Sequence, residues 1–264
     1  MTQNRYLSTQ NITKITQGKT LCDTINIEVA RGKIVGLFGA NGAGKSTCFN
    51  IIAGLIQPSS GHVMLDNEII TSHPIHVRSQ NGIRFLPQDS SIFLDLTVYE
   101  NILGVVQLTK NHPKSKQTVI TNDLIDKFQL NKVAHTLGRR VSGGERRRTE
   151  IARACVNNPR YLLLDEPFSG VDPISVEEIK AQIHELARHD DVGIFITDHH
   201  VKATLPFCDY AYILHHGKML YQGVSDDVMQ NDQVRQHYLG NVVKAPTKWS
   251  CNSSYHCICI TCRN

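Results

Sequence analysis

Nowhere does this 264-residue chain approach the roughly twenty consecutive apolar residues that a membrane-spanning helix requires. Its first residues, Met1-Thr2-Gln3-Asn4-Arg5-Tyr6, also lack the apolar core of a secretion signal, so a cytosolic protein is expected. Runs of five or six basic residues are missing, and the formal charge is only +4, which argues against a nucleic-acid binder. No internal repeat is visible. The eight cysteines form no familiar pattern either. Cys22, Cys48, Cys155 and Cys208 stand singly among apolar neighbours and read as small buried hydrophobes of a reducing compartment. Cys251, Cys257, Cys259 and Cys262, with His256, have metal-ligand chemistry but no known zinc spacing, so residues 241–264 are read as a disordered, Cys-rich tail.

What remains is ordinary for a globular protein, with 41% apolar and 20% charged residues. Within it stands Gly39-Ala40-Asn41-Gly42-Ala43-Gly44-Lys45-Ser46-Thr47, which fits the phosphate-loop pattern G-x-x-x-x-G-K-[ST] without a mismatch. Lys33 to Phe38 ahead of it reads as a buried strand, and Cys48 to Leu55 behind it has helical spacing. The glycines let successive N–H groups turn inward, and the helix N-terminus adds partial positive charge. Lys45 is expected on the β- and γ-phosphates and Ser46 on Mg²⁺. The motif therefore predicts a nucleoside triphosphate site.

Along the chain, Ile25 to Val29 alternates as a half-exposed strand, Arg31-Gly32 turns, and strands are expected at His62 to Asp66 and at Ile83 to Gln88. From about residue 97 to 158 helical periodicity replaces strand-like runs, with a polar, loop-like break at Lys110 to Gln117. A buried strand follows at Tyr161 to Asp165, then a helix over 173–189, a strand at Val192 to Thr197, and a hairpin around Gly217-Lys218. Strands alternating with helices imply an α/β fold whose largely parallel sheet is covered on both faces.

Two further motifs narrow the chemistry. Asp165-Glu166 follows four apolar residues, which puts two carboxylates at the ligand-binding end of a strand. Asp165 suits a Mg²⁺ contact, and Glu166, expected to point the other way on the same strand, can polarise an attacking water. Ser142-Gly143-Gly144-Glu145 opens a helix as a capping box, yet two glycines at a helix start also suit N–H groups approaching an anion.

These motifs together resemble the ABC-transporter ATPase family over about residues 6 to 240. Ser142-Gly143-Gly144-Glu145 is similar to the family signature, Gln88 to the Q-loop, Ser169-Gly170-Val171-Asp172 to the D-loop and His199 to the switch histidine. The resemblance implies a RecA-like P-loop core with an antiparallel β subdomain and an inserted helical subdomain at about 91–158, within a nucleotide-binding domain spanning 1–240. It implies ATP and Mg²⁺ as ligands, with Gly39, Asn41, Gly42, Ala43, Gly44, Lys45, Ser46 and Thr47 around the phosphates. Ser46, Gln88 and Asp165 would meet the metal, and Glu166, His199 and Gln88 would form the catalytic group. It also implies a head-to-tail homodimer in which Ser142, Gly143, Gly144, Glu145 and Asp172 complete the site of a second copy. Two transmembrane permease subunits would dock near residues 89–98, placing the chain peripherally on the cytoplasmic face of the inner membrane, without nucleic acid and without direct cargo contact. Within residues 89–98, Phe93 suits either a docking anchor or the core.

Segments 142–154, 165–175 and 196–199 most resemble the ATPase subunits of lipopolysaccharide exporters. Alternatives are the ATPase of a branched-chain amino-acid importer and, from another class, a soluble non-transport ABC protein. One departure bears on the site: Thr16 stands where the family usually stacks an aromatic ring on adenine, so base recognition is expected to be weak.

Overall fold

The computed structural model describes residues 6–109 and 113–239; the cysteine-rich tail lies outside them. The chain opens with β1 (Tyr6–Thr16) and β2 (Lys19–Ala30), an antiparallel hairpin, and enters β3 (Ile34–Gly39), which leads into α1 (Lys45–Ala53). Next come β4 (Ser60–Leu65), the short β5 (Glu68–Ile69), α2 (Ile75–Gln80) and β6 (Ile83–Leu86). Three helices interrupt the strands: α3 (Val98–Leu108), α4 (Lys114–Lys127) and α5 (Gly143–Cys155). The chain then returns through β7 (Tyr161–Asp165), α6 (Pro173–Arg188), β8 (Gly193–Thr197), α7 (Val201–Thr204), β9 (Tyr210–His215) and β10 (Lys218–Val224).

Two sheets result. The smaller is antiparallel in the order β2-β1-β4-β5, and the larger runs β10-β9-β3-β8-β7-β6. Its inner pairs are parallel, and only β10 on β9 is antiparallel. The mostly parallel sheet and the antiparallel β-sheet both match the expected α/β architecture. β2 keeps its alternation, burying Ile25, Ile27 and Val29, whereas β3 is buried at every residue because it is covered on both faces.

Period two divides the central sheet between two cores. Ile34, Phe38, Leu162, Leu164, Ile194 and Ile196 face the helical side with Ile102, Ile151, Ile179 and Ile183. Their strand neighbours Val35, Leu37, Leu163 and Phe195 face α1 and the β1–β2 hairpin, where Phe195 stacks on Phe49 at 4.8 Å between ring centroids. A sheet sandwiched this way leaves only its strand ends free for ligands.

Two readings of local structure need correction. The break placed at Lys110 to Gln117 does not reach Gln117, since Pro113 caps α4 and Lys114 to Gln117 already belong to that helix. Polar residues there form an exposed helical face, and proline is tolerated because a helix's first N–H groups lack intrahelical partners anyway. Glu166, for its part, does not lie on β7. The strand ends at Asp165, and Glu166 takes φ +46°, a left-handed conformation unusual for a residue with a Cβ.

Candidate nucleotide-binding site

β3 delivers the phosphate loop. At Gly39, with φ +154°, a Cβ would collide with the Leu214 carbonyl, and Gly44, the cap of α1 at φ +100°, would put one 2.5 Å from the Leu21 carbonyl. Neighbouring strands therefore press so close that only glycine fits, which fixes the path of the loop from the end of β3 into α1. Ala43 N donates to Ala40 O at 3.1 Å, and Gly217 N donates to Ala43 O at 3.1 Å, tying the turn to the β9–β10 hairpin. Lys45 is buried and its Nζ donates to Gly39 O at 2.7 Å and Ala40 O at 3.0 Å. Burial lowers its pKa, while Glu166 and Asp165 oppose the shift. Ser46, Asn41 and Gly42 are exposed at the loop surface, and Thr47 is half-buried.

The carboxylates come from the adjacent strand ends. Asp165 pairs in register with Thr197 of β8, whose hydroxyl donates to Asp165 Oδ1 at 2.5 Å. Glu166 N reaches Thr197 O at 3.1 Å and Thr197 Oγ1 at 3.2 Å, which holds the left-handed residue in place. Its Oε1 contacts His199 Nε2, while Oε2 is buried without a partner among the described residues. Burial raises the Glu166 pKa; His199 and Lys45 oppose that, and Asp165 and Asp198 add to it. A buried carboxylate that keeps a raised pKa and one free oxygen is well suited to accept a proton.

Sequence reasoning missed the residues that build this arrangement. Thr197 locks Asp165 and Glu166 together, and Asp198 accepts from His200 N at 2.7 Å and Thr204 Oγ1 at 2.7 Å, fixing the turn that carries His199. An Asp three residues before the start of α7 was a legible turn signal, whereas the register of β8 against β7 was not.

The signature segment forms both halves of the expected capping box. Glu145 N donates to Ser142 Oγ at 3.2 Å, and Ser142 N donates to Glu145 Oε2 at 2.8 Å. Gly143 packs beside the Gly170 carbonyl and Gly144 against Ser175, and at Gly144 a Cβ would overlap that serine. Asp172 caps α6, accepting from Ser175 N at 3.0 Å, and the hydrogen bonds from Ser175 hold its pKa down. Behind the box sits a second missed group. Arg147 donates to Pro87 O at 3.0 Å, Asp165 O at 3.2 Å and Glu150 Oε2 at 2.9 Å, and Glu150 Oε1 receives Ser90 Oγ at 2.8 Å and Ser91 N at 2.7 Å. One buried ion pair thus joins the signature helix, the segment around Gln88 and the strand that ends at Asp165. Gln88 itself is exposed just past β6.

The structure brings Lys45, Asp165, Glu166 and His199 together at the ends of β3, β7 and β8. Thr16 lies exposed at the β1–β2 turn, paired with Lys19. Phe93 is 58% exposed rather than part of the core, beside exposed Leu94 and Leu96, with the Arg153 guanidinium 5.2 Å from its ring centre.

The family model described as ABC transporter matches residues 22–169, from β2 through the phosphate loop and signature to the D-loop. The chain belongs to the ABC transporter family. Among its relatives is the lipopolysaccharide export system ATP-binding protein LptB of Haemophilus influenzae, 43% identical over 90% of this chain and 98% of that protein. LptB of Escherichia coli is 40% identical over 89% and 97%. A solved ATP-binding cassette of an ABC transporter superposes with a TM-score of 0.80 at 26% identity, covering 89% of this chain and 99% of that one. Of the side chains expected at Mg²⁺, Ser46 offers a hydroxyl, Gln88 an amide and Asp165 a carboxylate. These are hard oxygen donors of the kind Mg²⁺ prefers, and next to Asp165 the buried Glu166 Oε2 is an orphaned acceptor.

Proposed function

We propose that this chain is the ATP-hydrolysing subunit of an ABC transporter that powers lipopolysaccharide export, acting as a homodimer under two membrane permeases. The observation that carries the hydrolytic reading is Glu166, held left-handed by Thr197, backed by His199, raised in pKa and with one buried oxygen unpartnered. The cargo reading rests on the identity to LptB proteins across nearly the whole chain.

In this mechanism the loop N–H groups and Lys45 hold the phosphates and draw charge from the reacting γ-phosphoryl group. Bound Mg²⁺, met by Ser46, Asp165 and Gln88, would supply further charge neutralisation. Glu166 orients water and takes its proton, and His199 keeps the carboxylate aimed. The Ser142 hydroxyl accepts from Glu145 N, so its own proton is free to donate. Ser142, Gly143 and Gly144 of a second copy close the site head to tail, with Asp172 at the contact, an arrangement that is two-fold symmetric. The exposed Phe93, Leu94 and Leu96 form the face for a permease helix. Among the described residues no helix is long and apolar enough to cross a membrane; the permease contact is the proposed attachment at the cytoplasmic face of the inner membrane.

Glu166→Gln tests the chemistry. It is expected to bind ATP as the wild type does while turnover falls at least about a hundredfold, the scale of a lost general base. Turnover near the wild-type rate, measured as phosphate release, would remove Glu166 from this role.

A further inference from the structure

The phosphate-loop helix carries no basic residue in its last turn and no acidic residue in its first. Its C-terminal carbonyls are met by a side chain from α2. Arg78 is wholly buried, and its Nη1 donates to Ile51 O at 2.7 Å and Ile52 O at 2.6 Å. Nε reaches His73 O at 2.8 Å and Nη2 reaches Thr71 O at 2.9 Å. Among the described residues no carboxylate pairs with it. Burial lowers its pKa to about 10, which leaves it cationic at neutral pH. The room it occupies depends on Gly54, at φ +84°, where a Cβ would lie 2.8 Å from Arg78 Nε.

A buried ion without a counter-ion is costly, so its surroundings must compensate. Here the compensation comes from carbonyl dipoles, two of them at the negative end of α1. Neutralising that end leaves the positive end, at Gly44 to Thr47, unopposed. The helix is nine residues long, so the cation sits roughly 13 Å from the loop along the axis, through protein rather than water. A charge at that range in a low-dielectric path still acts on an anion.

We propose that Arg78 is a positioning residue for the phosphate loop, orienting α1 and adding the field of a buried cation to the end where phosphate binds. The inference rests on reading Gly39–Thr47 as the nucleotide site. Because the effect is electrostatic, it should grow with the charge of the ligand and survive replacement of Arg78 by another cation, which mere misplacement of α1 would not do.

The test is equilibrium binding of AMP, ADP and ATP, in chelator, to the full chain and to Arg78→Gln and Arg78→Lys, with folding followed by circular dichroism. For Arg78→Gln the loss should grow by about two- to threefold with each added phosphate. Arg78→Lys, which keeps the charge but cannot reach all four carbonyls, should hold all three affinities within about twofold. An equal loss for all three nucleotides, or a lysine variant as weak as the glutamine variant, would overturn the inference. Should Arg78→Gln fail to fold, the lysine variant alone decides between charge and hydrogen bonding. Failure of the wild type to bind ATP would instead sink the nucleotide-site reading beneath it.

Discussion

At the scale of a single residue, Glu166 has a consequence for stability as well as turnover. Its pKa is raised in the folded chain, chiefly by burial, so the native state binds this proton more tightly than the unfolded state does. The linked stability is present below the ordinary carboxylate range and is lost as pH rises through the raised value. Removing the charge with Glu166→Gln should therefore raise the melting temperature at neutral pH, and the gain should shrink in acid, where the wild-type carboxyl is protonated. A gain that did not depend on pH would contradict burial as the cause. The carboxylate pair itself was legible in the sequence, because four apolar residues before Asp165 mark a buried strand. The left-handed turn was not, since it depends on Thr197, which arrives from a strand more than thirty positions away.

At the scale of an element, α5 performs two tasks with one residue. Ser142 caps the helix and, in the proposed dimer, donates to the γ-phosphate. The tasks separate by substitution. Ser142→Ala should lower stability by about 1 kcal/mol in urea denaturation through loss of the cap, and should also reduce turnover. Ser142→Asp keeps an N-cap of equal quality but has no proton to give and repels phosphate, so it should be as stable as the wild type and inactive. An active aspartate variant would confine Ser142 to capping. The capping box was readable three residues apart in the sequence. The Arg147–Glu150 pair behind it was not, because its partners Pro87, Ser90 and Asp165 belong to segments that only folding brings together.

For the whole molecule the proposed head-to-tail pairing predicts complementation. A chain with Lys45→Ala lacks a phosphate grip, and a chain with Ser142→Asp lacks a usable signature. Each homodimer should be inactive, whereas a mixed dimer joins the intact loop of one chain to the intact signature of the other. Mixing the two should restore part of the ATPase activity, and no recovery in a verified heterodimer would refute the pairing. Attachment to the membrane makes a separate prediction. Phe93→Ala should reduce co-purification with permease subunits several-fold while leaving the fold of the isolated chain intact, as the ring is already exposed. Unchanged co-purification would place the docking face elsewhere.

What the sequence determined by itself was local. The phosphate loop, the strand before it, the capping box and the apolar run ahead of Asp165 each lie within about ten residues, where periodicity, glycine and capping chemistry act directly. Tertiary structure decided how those pieces meet. It set β8 against β7 so that Thr197 clamps both carboxylates, pressed Leu21 and Leu214 onto the loop so that glycine is required, and buried Arg78 against the far end of α1. Such contacts depend on strand register and on which side chain fills a gap. Those are settled by packing across the whole chain, beyond the reach of any short window of residues.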